Sequence, residues 1–238
     1  MKPIYEPKGR AKEYGDLAIN IYTGCNHGCT YCYAPLVVKR TRAEFHANVT
    51  PRKDIVGAVE RQISKEKITG KLIHLCFTCD PYPAEIDTSP TREVIKVIKA
   101  TGNNVQILTK GGECAMRDFD LLDGGDWFGV TITSLSVPKS FEREPKAKSV
   151  VMRLKSLQIA QEQGIKTWVS CESVFEPEDV YEMITAPKTV DLFKIGKLNY
   201  AKSNIDWGEF GRECERLCIE YGRNYYIKED LRRAMDEQ

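Results

Sequence analysis

The sequence predicts an α/β fold of parallel strands, built as a partial (β/α)6-type barrel open on one side or as a doubly wound sheet. Three observations predict it. Short apolar runs alternate with amphipathic helical stretches along most of the chain. Each run is separated from the next by a helix-bearing connection, which requires parallel strands and right-handed crossovers. Six such units can be counted, too few to close an eight-stranded barrel. The 238 residues carry no linker, low-complexity segment or internal repeat, so a single domain is expected over 1–238. Its core units cover about 16–221, and a terminal extension covers about 222–238.

Residues 16–22 read as the first strand, and a cysteine-rich loop over 23–34 follows. Pro51 opens a helix that places Ile55, Val59, Gln62 and Ile63 on one face and ends near Thr69-Gly70. Residues 71–77 form the second strand, stopped by Asp80-Pro81-Tyr82-Pro83. Ser89-Pro90-Thr91 starts a helix carrying Val94, Ile95, Val97 and Ile98, with Gly102 as its terminator. Residues 104–110 are the third strand, a short helix runs through Leu121-Leu122, and 127–133 is the fourth strand. A helix over 150–163 sets Met152, Leu154, Leu157 and Ile159 inward or near the seam, and Gly164 closes it. The strand 166–174, the helix 177–184, the strand 191–198 and the helix 206–221 complete the pattern, with Asp206 or Asn204 as the last cap. Residues 225–227 read as one more short strand before a polar terminal helix.

Composition narrows the class. A hydrophobic fraction of 42% and a charged fraction of 29% suit a globular protein. No apolar run is long enough to span a bilayer, and Met1–Glu6 lacks the apolar core of a signal peptide, so a cytoplasmic location without membrane contact is expected. Nine cysteines in such a compartment point to metal or redox chemistry, and the odd count fits a disulfide framework poorly. A net charge of +1 gives no global pull toward nucleic acid. Two basic stretches, Lys39, Arg40, Arg42, Arg52 and Lys53, then Lys139, Arg143, Lys146, Lys148, Arg153 and Lys155, read as solvated surface able to meet an anionic substrate.

The chemistry concentrates in Cys25-Asn26-His27-Gly28-Cys29-Thr30-Tyr31-Cys32-Tyr33. Three thiolates in a C-x₃-C-x₂-C array can wrap one soft metal centre and leave one iron of a four-iron cluster unligated by protein. No fourth Cys or His falls at the paired spacing of a zinc site. Both candidate architectures set their chemistry at the carboxyl ends of strands. Besides the loop, those ends carry Thr78-Cys79-Asp80, Thr109-Lys110, Thr133-Ser134, Cys171-Glu172-Ser173 and Lys197-Leu198-Asn199.

Cys25-x₃-Cys29-x₂-Cys32 after a first strand, with Tyr31 ahead of the last cysteine, resembles the signature of the radical S-adenosylmethionine superfamily. The wider text is similar to its spore photoproduct lyase-like subgroup: Ile19-Asn20-Ile21-Tyr22-Thr23-Gly24, Tyr31-Cys32-Tyr33-Ala34, Asp80-Pro81-Tyr82-Pro83-Ala84-Glu85, Thr91-Arg92, Leu108-Thr109-Lys110 and Arg117-Asp118. These blocks cover roughly residues 16–174. The resemblance implies a partial TIM barrel with a radical SAM core, a 4Fe-4S cluster on Cys25, Cys29 and Cys32, and S-adenosyl-L-methionine (SAM) chelated to the open iron. It implies reductive cleavage of SAM to a 5′-deoxyadenosyl radical that takes hydrogen from a substrate, which is nucleic-acid or nucleotide related in the lyases. It further implies a monomer served by an electron donor such as flavodoxin or ferredoxin.

Residue roles follow from the same resemblance. Lys110 is expected to pair with the methionine carboxylate, Ser134 to bind that end of the cofactor, and Asp80 to accept from the methionine ammonium. Tyr31 packs against the cluster and adenine, and Tyr31 and Tyr33 are candidates for relaying a hydrogen atom. His27 is expected to cover the cluster rather than ligate it. Arg153 could pair with Glu172 or the cofactor, with a structural salt bridge as the favoured reading, and Gly111-Gly112-Glu113 is taken as a loop feature. One position departs from the lyases: Phe77 stands where they carry a hydrogen-donating cysteine, with Cys76 and Cys79 on either side. In an extended strand those two side chains face opposite ways unless the strand breaks at Thr78. Cys114, Cys171, Cys214 and Cys218 read as structural thiols, with a second cluster as the other account. An iron–sulfur electron-transfer or redox-sensing protein without substrate turnover is the alternative function, and a zinc-binding scaffold is a third.

Overall fold

The structure, a computed structural model, describes residues 2–187, 190–199 and 201–237. Eight strands form one sheet in chain order: β1 Ile4–Tyr5, β2 Leu17–Ile19, β3 Leu72–Leu75, β4 Asn104–Thr109, β5 Trp127–Thr131, β6 Lys166–Cys171, β7 Leu192–Ile195 and β8 Tyr225–Ile227. β1 runs antiparallel to β2, and each later neighbour pairs in parallel. β1 and β8 end the sheet without pairing to each other, so the barrel is partial and unclosed. All six expected parallel strands are present, and β8 adds a seventh.

Strand alternation gives the sheet its two faces. His74 pairs in register with Gln106, while Ile73 pairs with Val105 and Leu75 with Ile107. The apolar set is fully buried and packs with Val94, Ile95 and Ile98 of helix α4 (Ser89–Ala100) in the main core. Each such side chain contributes about 1.5–3 kcal/mol on burial. The other face is unusually polar, with His74, Gln106, Ser170 and Lys194 buried in the lumen. Trp168 plugs the lumen, its indole nitrogen donating to the Ile107 carbonyl at 3.1 Å. It lies against Gly129, where an added Cβ would meet the indole at 2.3 Å.

Several helices differ from expectation. The helix assigned to Pro51 starts later, as α3 (Ile55–Glu66), because Pro51 is spent on an isolated bridge to Tyr22. Three short helices were not anticipated: α1 (Ala34–Val38), α2 (Arg42–Ala47) and α5 (Val137–Arg143). Helix α6 (Val150–Glu162) buries Val150, Arg153, Ser156, Leu157 and Ala160, leaving Met152, Leu154 and Ile159 half-buried on its flanks. Its inward face is thus centred on an arginine. Gly112–Leu121 forms 3₁₀ turns where a short helix was expected. Helix α7 (Pro177–Thr185) and helix α8 (Trp207–Glu220) match, and Asp206 caps α8 by accepting from the Glu209 amide at 2.9 Å.

The N-terminal segment closes the open edge. A 3₁₀ stretch, Gly9–Tyr14, is tied to the far side by Glu13, which accepts from the Tyr226 hydroxyl at 3.2 Å and the Glu229 amide at 3.0 Å. Arg10 pairs with Asp230 of the terminal helix α9 (Glu229–Asp236) at 3.1 Å. Among the described residues no helix is long and apolar enough to cross a membrane.

Candidate active site

A cavity of about 650 Å³ opens at the carboxyl ends of the strands, the size that accommodates a cofactor-scale ligand. Cys25, Cys29 and Cys32 all line it, together with Lys110. The loop that carries them is held by elements on both sides. Arg42 of α2 donates to the carbonyls of Cys29, Thr30 and Cys32 at 2.6, 2.7 and 2.9 Å. His46, one turn along, meets the Cys25 carbonyl through Nδ1 at 2.7 Å. The helix exists because Thr41 and Glu44 form a capping box at its start. Asn26 donates to the Ala84 carbonyl, and the Thr30 amide to that of Arg143 at 2.8 Å. Gly24 enters the loop so close to α2 that an added Cβ would stand 2.5 Å from the carbonyl oxygens of both Phe45 and Asn48.

All three thiols are free. Burial pushes Cys25 well above the ordinary thiol range, Cys29 to about 12 and Cys32 upward, although Lys110 pulls against the rise at the last two. Left alone they stay protonated, and a coordinating metal centre deprotonates such thiols outright. Among the described residues no three His, Cys, Asp or Glu side chains converge tightly enough to hold a single metal ion. Three soft donors around one cavity, beside a half-buried cation, do suit a cluster larger than one ion.

Lys110 follows β4 and enters the cavity. Burial opposes its charge, but Cys29, Glu144 and Asp80 prevail and hold its pKa above the ordinary value. Among the described residues its Nζ makes no hydrogen bond, and it lies 5.6 Å from the Tyr31 ring centroid. It is therefore available to an anionic ligand.

Asp80 lines the cavity but is already engaged. It accepts from Thr109 Oγ1 at 2.5 Å, the Tyr82 amide at 2.8 Å and the Lys110 amide at 2.9 Å. His27 Nε2 stands 3.2 Å from the same carboxylate. Burial works against the ionised form, yet His27, Thr109 and the Lys110 amide bring its pKa down to about 2. Its observed work is to join the cysteine loop to β4. The His27 ring is covered by this contact and by the Lys146 carbonyl at 3.4 Å.

Tyr31 and Tyr33 both line the cavity, each with its hydroxyl bonded to protein. Tyr31 donates to Glu144, and Tyr33 donates to the Phe77 carbonyl at 2.7 Å. Burial raises both phenols well above their ordinary pKa, so neither ionises near neutral pH.

Ser134 is not brought to the cavity. β5 stops at Thr131, and the Ser134 hydroxyl instead donates to Asp179 at 2.7 Å and accepts the Ser136 amide at 3.1 Å. The partner expected for Arg153 also changes. Its guanidinium forms a fully buried ion pair with Glu144 and donates to the carbonyls of Lys148 and Thr131 at 2.8 and 2.9 Å. Glu172 is engaged elsewhere, by Lys228 at 2.5 Å, Tyr14 at 3.0 Å and Asn199 at 2.9 Å. Tyr14 and Lys228, which also line the cavity, were absent from the sequence-based candidates. They sit in non-periodic text, and nothing short of the strap's path across the open edge brings them in.

Cys76 and Cys79 depart most from the extended-strand expectation. β3 ends at Leu75, and Cys76 adopts φ 74°, a conformation rarely taken by residues with a Cβ. The chain therefore turns two residues earlier than Thr78. Both thiols line the cavity. Cys171, Cys214 and Cys218 are free and buried in the main core, whereas Cys114 is exposed.

Comparison with known proteins agrees with this geometry. An Acidianus two-tailed virus protein, ORF301, is 28% identical over 192 residues, and MJ0683 of Methanocaldococcus jannaschii is 29% identical over 171 residues. These alignments take in 74% and 70% of this chain but 62% of each relative, so the chain spans less than two thirds of their length. Spore photoproduct lyase in complex with a dinucleoside spore photoproduct superposes with a TM-score of 0.69 at 15% identity, covering 94% of this chain and 79% of the lyase. SuiB of Streptococcus suis bound to S-adenosylmethionine superposes with a TM-score of 0.67 at 14% identity, covering 92% of this chain and 49% of SuiB. The family model of the Radical SAM superfamily matches residues 19–184, more than half of the chain. The protein belongs to the radical SAM superfamily, whose cofactors are a 4Fe-4S cluster and S-adenosylmethionine.

Proposed function

We propose that Cys25, Cys29 and Cys32 hold the cluster and that the cavity beside them is where SAM is cleaved and a substrate loses hydrogen. The observation that carries this reading is the shared cavity of three thiols and an unbonded lysine. Bound there, the reduced cluster and SAM supply a 5′-deoxyadenosyl radical able to abstract hydrogen from an unactivated carbon.

The chain's own residues do the rest. Lys110 meets the methionine carboxylate with a charge-assisted hydrogen bond. Asp80 fixes the Lys110 backbone and, through His27, the loop, so that cation and thiols keep one spacing. Tyr31, braced by Glu144, forms the wall against which the nucleoside part packs and keeps water from that side. Tyr33, Cys76 and Cys79 line the same cavity and are the hydrogen-handling groups.

A nucleic-acid or nucleotide-related substrate is the class we favour. Lys8 and Arg10 lie on the cavity wall, and Lys39, Arg40 and Lys53 are exposed beyond the cluster loop. A flavodoxin- or ferredoxin-type donor supplies the electron. Phe77 at the lyases' donor position argues that the lesion differs from theirs.

The test is anaerobic reconstitution followed by chemical reduction in the presence of SAM. Formation of 5′-deoxyadenosine well above a Cys32→Ala control is expected. Equal amounts from both proteins would overturn the proposal.

A further inference from the structure

The turn after β3 is built with more fixtures than a loop end needs. The Cys76 amide completes the ladder on the Ile19 carbonyl at 2.9 Å, and the chain then reverses at φ 74°. Asn20 Oδ1 accepts from the amides of both Phe77 and Thr78, at 2.9 and 2.8 Å, while its Nδ2 donates to the Tyr5 hydroxyl at 2.8 Å. Tyr33 clamps the Phe77 carbonyl from the cluster loop. Phe77 is pinned on the other side by stacking on His74, with ring centroids 4.3 Å apart. A non-glycine residue with positive φ costs about 1–3 kcal/mol and persists only where its surroundings impose it. Here they impose a C-x-x-C turn whose two thiols open on the same cavity, with Cys79 near enough to raise the pKa of Cys76.

We propose that Cys76 and Cys79 are a redox-active dithiol that closes reversibly to a disulfide by exchange with a low-molecular-weight disulfide of the glutathione type. Cys79 is half-buried and Cys76 is buried, which sets their order. The Cys79 sulfur, as thiolate, attacks one sulfur of the reagent, breaking its S–S bond and releasing one thiol. Cys76 then attacks Cys79 in the mixed disulfide, and the second reagent thiol leaves. One S–S bond is broken and one formed, two protein thiols are oxidised, and their two protons leave on the two released thiols. Burial, together with the neighbouring Cys79, lifts Cys76 well above the ordinary thiol range, so its thiol keeps its hydrogen until an oxidant arrives. Resting on the function proposed above, the reduced pair is a store of two reducing equivalents in that cavity.

The experiment equilibrates anaerobic, cluster-loaded protein across glutathione redox buffers, quenches it in acid and alkylates free thiols. Trypsin then releases peptide 72–92, which carries Cys76 and Cys79 and no other cysteine. Expected are two states that interconvert with buffer poise: doubly alkylated, and unalkylated but lighter by two hydrogens than the dithiol. In Cys79→Ser the second state disappears and Cys76 remains alkylatable. Accumulation of singly modified peptide in the wild-type protein, or both thiols staying reduced in the most oxidising buffer, overturns the proposal. This readout needs no turnover. Absence of deoxyadenosine would defeat the proposed function and leave the thiol result standing.

Discussion

Arg153 and Glu144 form an ion pair with side-chain exposures of 1% and 0%, directly behind the cluster loop. The pair joins three parts of the site. Glu144 also accepts from the Tyr31 and Thr133 hydroxyls, and Arg153 holds the end of β5 through the Thr131 carbonyl. Removing one partner strands a buried charge, which costs about 3–5 kcal/mol. Arg153→Met should therefore lose stability of that order in urea unfolding of the cluster-free protein. Arg153→Met combined with Glu144→Gln should recover a large part of it, because no unpaired charge then remains.

The buried carboxylates set an acid limit. Asp80 has its pKa depressed from 3.8 to about 2, and Glu144 is lowered in the same direction by Arg153 and Lys110 against its burial. A carboxylate depressed in the folded state stabilises the fold above its unfolded pKa, and that contribution is lost as pH falls through the folded one. For Asp80 the window runs from 3.8 down to about 2. Its contribution is on the order of 2 kcal/mol. Urea unfolding over this window should show a shallower loss of stability in Asp80→Asn than in wild type. The residual slope includes the share from Glu144.

Gly24 gives a steric prediction. Because its Cβ position is 2.5 Å from two backbone carbonyl oxygens, Gly24→Ala cannot be relieved by a side-chain rotation, and the loop or α2 must move. Overpacking of this kind costs about 1–3 kcal/mol. Iron and sulfide bound per chain after reconstitution should fall well below wild type, while the circular dichroism of the barrel is retained.

Arg42 tests the other side of the same loop. Its guanidinium reaches three carbonyls in one sweep, which a single ammonium cannot reproduce. Arg42→Ala should speed the release of iron to a chelator severalfold. Arg42→Lys should fall between that variant and wild type.

What could be read from the chain, and what could not, follows from how each feature is encoded. The parallel strands were legible because each is a compact apolar run, and the cysteine triplet because its spacing is rigid. Helix α2 was hidden: six residues, one of them buried, give no amphipathic period, although Thr41-x-x-Glu44 was a cap signal in plain view. Arg153 forms the structural salt bridge its sequence reading favoured, but its partner was hidden because Glu144 lies in the separate α5–α6 connection. Ser134 lies off the cavity for a geometric reason, since β5 ends two residues earlier than the expected strand over 127–133. Cys76 and Cys79 came out on one side because a backbone turn at a non-glycine residue leaves no mark in composition.

Lys110 carries the last prediction. The cation is half-buried beside the thiols, and no described side chain bonds its Nζ. If it meets the carboxylate of SAM, Lys110→Gln removes a charge-assisted hydrogen bond worth about 1.5–3 kcal/mol. Titration of SAM into the cluster-loaded protein should then show a dissociation constant raised about 10- to 150-fold, since each 1.4 kcal/mol is tenfold. Iron content should be unchanged, because Lys110 is not a ligand. Its pKa is held above the ordinary lysine value, so the wild-type affinity should stay flat from neutral pH up to the start of lysine titration. An unchanged affinity in Lys110→Gln would remove the residue from the cofactor site and leave its charge as a partner of Cys29, Glu144 and Asp80.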